Sequence, residues 1–119
     1  MMEILRVLSA NPALTVLGIG GSVNAELDGF VGFLALNTLA PIRFDKAFLG
    51  GLSVDLETGE AMTYIWDDGL IKQLVIKNSA HNFLVVDTHK FDASGNYAYA
   101  KVSDFDALIT NQPTLKLRA

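Results

Sequence analysis

Two segments of this chain end an apolar run in residues that could bind a small molecule. Residues 83–86 are followed by Asp87, and Lys90 comes three positions later. A carboxylate accepts hydrogen bonds from sugar hydroxyls, and a lysine ammonium is a point charge for phosphate or carboxylate. In an open α/β sheet, ligands collect beyond the carboxyl ends of the strands. The spacing therefore indicates an anion-binding site, although a surface ion pair explains it equally well.

Glycine pairs follow two other segments that are predicted to be strands. Gly50 and Gly51 end the run at residues 44–49, and Gly20 and Gly21 end the run at residues 14–19. Glycine lets a backbone approach a ligand closely. The earlier pair matches neither the dinucleotide fingerprint nor the P-loop, because no Gly-Lys-Ser/Thr follows it. A tight turn is the favoured explanation there, with ligand approach as the alternative.

A third candidate lies at the start of a predicted helix. Asp68 and Lys72 are one helical turn apart. A solvated pair at this spacing contributes only about 0.2–0.5 kcal/mol and needs no functional explanation. Helix N-termini attract anions, but an aspartate there argues against direct phosphate contact. Polyol binding by Asp68 stays open.

The helices and strands that position these residues are predicted from the spacing of hydrophobic residues and from proline and glycine at their ends. Helices are predicted at 2–10, from about 29 to 40 with Asp28 as its cap, and from 67 or 68 to 78; strands are predicted at 14–19, 45–49, 82–87, 97–102 and 105–110, with a turn-like surface segment at 51–62. Strands that alternate with helices predict a mostly parallel sheet flanked by helices on both faces. The fold class is therefore α/β.

Composition narrows the function classes. The chain has 119 residues, half of them hydrophobic, a net charge of −4 and nine scattered basic residues. One domain is expected from this length. The basic residues form no cluster of the kind that binds nucleic acid. There is no cysteine and there are only two histidines, which argues against a disulfide framework or a metal site. No apolar stretch approaches the roughly 20 residues that span a bilayer. A cytoplasmic protein without a cofactor is the expectation.

Six weak motifs occur in a distinctive order: Gly20-Gly21, Phe30-Val31-Gly32, Asp45-Lys46-Ala47-Phe48-Leu49-Gly50, Asp68-x-x-x-Lys72, Asp87-x-x-Lys90-Phe91 and Asp106-Ala107-Leu108-Ile109-Thr110. Together they resemble the C-terminal sensor domain of DeoR-type repressors of sugar metabolism, over about residues 4–111. The resemblance implies a three-layer Rossmann-like fold related to sugar-phosphate isomerases and CoA transferases. It also implies a phosphorylated sugar as the effector.

The resemblance assigns residues as well. Asp87 and Lys90 match the family's Asp-x-x-Lys, Lys72 matches a helix lysine, and Asp68 stands where the family commonly carries Glu. The winged helix-turn-helix and a phosphate loop that precede this region in full members have no counterpart here. Residues 1–119 are therefore predicted to be a single partial sensor domain. Its sheet would be incomplete on the N-terminal side, and the chain itself would make no contact with nucleic acid.

The leading hypothesis is a non-enzymatic sensor of a phosphorylated sugar that forms a homo-oligomer. Either a strand rearrangement or a partner chain is expected to cover its exposed sheet edge. Its predicted ligand-binding residues are Lys90, Asp87, Lys72, Asp68, Gly20, Gly21, Gly50 and Gly51, with no catalytic or metal-binding residue. One alternative is a small sugar-phosphate isomerase or deaminase. The other is an oligomerisation module whose pocket is vestigial.

Overall fold

A computed structural model of the chain describes residues 2–25, 29–50, 53–87 and 95–111. The chain divides into two compact units, Met1–Pro41 and Ile42–Ala119. Each unit has its own secondary structure. Within the described ranges, no helix is long and apolar enough to cross a membrane.

The first unit holds two helices and a short hairpin. Its elements are α1 (Met2–Ser9), β1 (Ser22–Asn24), β2 (Gly29–Val31) and α2 (Phe33–Leu39). β1 and β2 pair antiparallel, with Val23 opposite Phe30. α2 packs against β2 and buries Ala35 and Leu39. The predicted first helix is confirmed.

Two predictions for this unit are wrong. Residues 15–21 form neither helix nor strand, and Leu17 is 82% exposed, so the strand expected at 14–19 is absent. An apolar run becomes a strand only where a neighbouring strand takes up its backbone hydrogen bonds. The second helix also starts later than expected, because residues 29–31 pair with β1. Phe33, the first residue of α2, is exposed.

The second unit contains one long helix and two three-stranded sheets. Its elements are β3 (Phe44–Gly50), β4 (Ser53–Asp55), β5 (Glu60–Thr63), α3 (Trp66–Asn78), β6 (Ser79–Val85), β7 (Tyr97–Lys101), a 3₁₀ turn (Val102–Asp104) and β8 (Ala107–Ile109). The parallel sheet has the order β3-β6-β8. The predicted strands are confirmed to within a few residues, as is the α/β class with a parallel sheet.

A second sheet, antiparallel in the order β4-β5-β7, was not predicted. The sequence at 51–62 reads as a surface turn, but only its middle is one. Asp55 Oδ1 accepts the backbone N–H of Glu57 at 2.9 Å and of Thr58 at 3.3 Å, which closes the turn between β4 and β5. Strands as short as these leave little periodic signal in a sequence.

α3 joins the two sheets. It contacts β3 and β6 of the parallel sheet and β5 and β7 of the antiparallel one. The core draws on alternate residues of the strands, which share one face of each sheet. Its buried members are Ala47, Leu49, Val54, Ala61, Leu84, Val86 and Tyr99. This packing fixes α3 against the parallel sheet and thereby decides where its polar residues lie.

Candidate functional site

The three parallel strands end side by side. Gly50, the last residue of β3, lies opposite Val85, and Val85 lies opposite Ile109 of β8. Because all three strands run in the same direction, the residues that follow them meet at one edge of the sheet. We call Gly50, Asp87 and Asn111 at these strand ends the carboxyl edge.

Asp87 is held at this edge by a residue that sequence reasoning did not single out. Asn111 lies two positions beyond β8, as Asp87 lies two positions beyond β6. The Asn111 side-chain amide donates a hydrogen bond of 3.3 Å to Asp87 Oδ1. Both residues are exposed. Asn111 could have been predicted as a site residue, because it follows β8 at the same distance at which Asp87 follows β6.

α3 brings two more predicted residues to Gly50. The Lys72 ammonium donates to the Gly50 carbonyl oxygen at 2.5 Å and forms an ion pair with Asp68 Oδ2 at 2.9 Å. The side chains of Asp68 and Lys72 are each 12% exposed. The pair is therefore largely shielded from solvent, because packing of α3 against the sheets excludes most water from it. We call Asp68, Lys72 and the Gly50 carbonyl the buried ion-pair cluster.

The first turn of α3 is fixed by close packing on β7. Gly69 faces Tyr97 so closely that an added Cβ would lie 2.5 Å from the Tyr97 ring. The rings of Trp66 and Tyr97 pack at a centroid distance of 4.4 Å. Glycine is required at this point for the helix to approach the strand. The close approach holds Asp68, the residue before Gly69, against the sheet.

Tyr99 lies beside the buried ion-pair cluster. Its ring centroid is 5.3 Å from the Lys72 ammonium, within the range of a cation–π contact. Burial raises the pKa of the Tyr99 hydroxyl, and the nearby Asp68 carboxylate raises it further. The side chain stays neutral at physiological pH and remains a hydrogen-bond donor. Nothing in the sequence distinguished Tyr99 from the other tyrosines, because its partners come from distant segments.

Gly20 and Gly21 belong to the first unit, where backbone geometry accounts for them. Their φ angles are 75° and 124°, which L side chains rarely adopt. A Cβ on Gly21 would also meet Ala35 Cβ at 3.0 Å. These facts explain why glycine stands at both positions, and both the predicted turn and a ligand-binding role for the pair stay predictions.

Lys90 and Gly51 lie outside the described residues, so their predicted roles stay predictions too. In the ranges that the structure describes, no three His, Asp or Glu side chains lie close enough to hold a metal ion. The carboxyl edge thus combines acceptors from Asp87 and Asn111 with the cation and carboxylate of the buried ion-pair cluster. Such a set of groups can bind a polar, hydroxyl-bearing anion.

The chain is similar to known proteins over most of its length. Residues 1–112 match the family model described as the DeoR C-terminal sensor domain. The chain is 29% identical over 110 residues to the lactose phosphotransferase system repressor of Lactococcus lactis, covering 92% of this chain and 42% of that protein. It is 32% identical over 97 residues to the uncharacterised HTH-type transcriptional regulator FruR of Bacillus subtilis, covering 82% and 38%.

A third relative is the glycerol-3-phosphate regulon repressor of Escherichia coli, 25% identical over 112 residues, with coverage of 94% of this chain and 44% of that protein. The chain thus spans about two fifths of the length of the curated relatives it matches. The match to the family model nevertheless extends over nearly all of its residues. This chain belongs to the DeoR C-terminal sensor domain family.

Proposed function

We propose that this chain is the effector-binding part of a transcriptional repressor and that its effector is a phosphorylated sugar or a related phosphorylated metabolite. The observation that carries the proposal is the carboxyl edge. There the pairing of β3, β6 and β8 gathers Gly50, Asp87 and Asn111, and α3 adds Asp68 and Lys72. Relatives named as repressors of a lactose phosphotransferase system and of a glycerol-3-phosphate regulon support the effector class.

The proposed roles follow from charge and position. Lys90, three residues beyond Asp87, holds the anionic group, together with backbone N–H groups near Gly50 and Gly51. Asp87 and Asp68 accept hydrogen bonds from hydroxyl groups. Lys72 has two acceptors, Asp68 and the Gly50 carbonyl, and it contacts the anion by turning away from them. The proposed activity is binding without turnover.

A second copy of the chain is the proposed partner. β3 is the first strand in the order β3-β6-β8, and Phe48 on this strand is 64% exposed although its ring stacks on Phe83 at 5.1 Å. Exposed apolar side chains beside a strand edge favour association. Sedimentation equilibrium of the whole chain would show a dimer or larger assembly, and a strict monomer would contradict this proposal.

The effector proposal is tested by thermal unfolding with glucose 6-phosphate, fructose 6-phosphate, ribose 5-phosphate, glycerol 3-phosphate and the matching unphosphorylated compounds. A ligand at about 100 times its dissociation constant adds roughly 2.7 kcal/mol to the free energy of unfolding. We expect at least one phosphorylated compound, and none of the free compounds, to raise the melting temperature.

Two lysine variants locate the site in the same assay. Lys90→Ala should remove the shift, whereas Lys77→Ala, a change at an exposed lysine in the last turn of α3, should leave it unchanged. An equal shift in Lys90→Ala and the parent would remove Lys90 from the site. If no compound of the panel raised the melting temperature, an oligomerisation module with a vestigial pocket would be favoured. Conversion of any phosphorylated compound into a product would favour a sugar-phosphate isomerase or deaminase.

A further inference from the structure

The hydroxyl of Tyr99 is a polar group that packing does not explain. The residue is only 4% exposed, and within the described part of the chain its hydroxyl has no hydrogen-bond partner. Buried polar groups in proteins are nearly always paired, because an unpaired one costs stability. The ring contributes to the core that surrounds it. A phenylalanine would fill the same space without this cost, so the hydroxyl calls for a partner that binds from outside the chain.

The surroundings of this hydroxyl define that partner. The Asp68 carboxylate lies near enough to raise the pKa of Tyr99, and Lys72 stands over the ring at 5.3 Å. Asp68 Oδ2 has the ion pair with Lys72 but receives no hydrogen bond of regular geometry from the described residues. A neutral donor, an acceptor and a cation therefore lie together. These three groups complement a hydroxyl group on a molecule that also carries a negative charge.

We propose that Tyr99 is a specificity-determining residue of the effector site. Its hydroxyl donates a hydrogen bond to a hydroxyl oxygen of the effector, and that same effector hydroxyl donates to Asp68. This inference rests on the proposed function and extends it, since it names the hydroxyl-bearing part of the effector as the part that this cluster recognises.

Access to Tyr99 depends on Lys72. The ammonium bridges Asp68 and the Gly50 carbonyl, and both charged side chains keep a small exposed fraction of 12%. A ligand that carries an anion offers Lys72 a better partner than the neutral Gly50 carbonyl. When Lys72 turns toward that anion, the Asp68 carboxylate becomes free to accept the effector hydroxyl. A deoxy analogue leaves Tyr99 and Asp68 without this partner, so the site discriminates against it.

The test uses Tyr99→Phe, with Tyr97→Phe as the matched control on the same strand. Tyr97 packs on Trp66, and its substitution also removes one phenolic hydroxyl. The probe is the phosphorylated sugar of the panel above that gives the largest thermal shift, together with its series of single-position deoxy analogues. Affinities are measured by isothermal titration calorimetry on the whole chain.

Three results are expected, and stability and affinity change in opposite directions. Without ligand, Tyr99→Phe melts at the same temperature as the parent or higher, because an unpaired buried hydroxyl is removed. With ligand, it binds the parent sugar phosphate about 10-fold more weakly, whereas Tyr97→Phe binds it normally. One deoxy analogue binds the unaltered chain about 10-fold more weakly than its parent sugar, and binds Tyr99→Phe and the unaltered chain equally.

Two outcomes would overturn the role of Tyr99 alone. One is equal binding of every analogue by Tyr99→Phe and the unaltered chain. The other is a lower melting temperature of unliganded Tyr99→Phe, which would mean that the hydroxyl already has a partner within the chain. Failure of the proposed function gives a different result, because then no phosphorylated sugar raises the melting temperature of the unaltered chain. That result rejects the effector and the Tyr99 contact with it.

Discussion

Two helices of this chain carry ion pairs that look alike by distance and differ in surroundings. In α1, Arg6 and Glu3 approach to 2.6 Å with side chains 78% and 67% exposed. In α3, Lys72 and Asp68 approach to 2.9 Å with both side chains 12% exposed. Each joins charges one helical turn apart. For the α1 pair, the free energy gained in the contact is similar to the free energy of hydration that the charges give up. The α3 pair, in contrast, has lost most of its hydration.

The difference shows that burial, not distance, decides what a helix ion pair does. In water the two charges of the exposed pair can separate at little cost. Asp68 cannot release Lys72 without leaving a carboxylate in the core unless another polar group replaces the ammonium. A pair in that position is therefore costly to break.

The largest expected effect comes from breaking the buried pair. Lys72→Met keeps the aliphatic length of the side chain but removes its charge, its contact with Asp68 and its hydrogen bond to Gly50. We expect a loss of about 3 kcal/mol in the free energy of unfolding, measured by urea denaturation. The main cause is the uncompensated Asp68 carboxylate.

The double variant Asp68→Asn/Lys72→Met separates that cause from lost packing. Because the carboxylate is then absent, it should recover at least half of the loss seen in Lys72→Met. If the single and double variants were equally unstable, the charge on Asp68 would not be the source of the instability.

The same comparison extends to two aspartates that accept backbone N–H groups. Asp106 Oδ2 accepts from the buried Asn82 at 2.7 Å, and Asp104 Oδ2 accepts from the exposed Lys101 at 2.8 Å. Asp106→Ala should cost about 1–3 kcal/mol, because the N–H of Asn82 is left without an acceptor away from water.

Asp104→Ala should cost less, since water can reach the N–H of Lys101. Urea denaturation of both variants checks the order. A larger loss in Asp104→Ala than in Asp106→Ala would contradict the rule that burial decides the value of such contacts.

Alkaline unfolding sharpens the comparison through Tyr99. Its pKa in the folded chain is raised above the ordinary value of 10.0, first by burial and then by Asp68. The folded state therefore holds a proton that the unfolded state releases, and stability is full below pH 10 and falls as pH rises above it. Above pH 10 the loss should be steeper in the unaltered chain than in Tyr99→Phe by up to about 1.4 kcal/mol per pH unit. Equal slopes in urea titrations at pH 9, 10 and 11 would refute this.

Much of the second unit could be predicted from sequence, because β3 and β6 each end in three consecutive apolar residues before the strand end or its glycine, and α3 has apolar residues at positions 70, 71, 74 and 75 with acidic residues at its start. The first unit shows the limit. Residues 14–19 have the composition of a buried strand, yet no neighbouring strand pairs with them. Strand formation there depends on a partner that local composition does not reveal.

The candidate site divides in the same way. That Asp87 and Gly50 would lie at one edge followed from their positions after apolar runs, since parallel strands end together. The Lys72–Gly50 contact joins residues 22 positions apart, and it depends on how α3 crosses β3. The burial of Asp68 and the proximity of Tyr99 depend on the same packing. The spacing along one helix predicts that Asp68 and Lys72 form an ion pair, but it does not predict that the pair is buried.

The smallest expected effect comes from the exposed pair and completes the comparison. Arg6→Gln removes the charge that meets Glu3 but keeps most of the side-chain length, and solvent reaches both positions. We expect the free energy of unfolding to change by less than about 0.5 kcal/mol. Glu3→Gln should give the same small change, and 0.5 M NaCl should reduce both further, because exposed charges are screened. A loss in Arg6→Gln as large as that in Lys72→Met would mean that geometry outweighs burial after all.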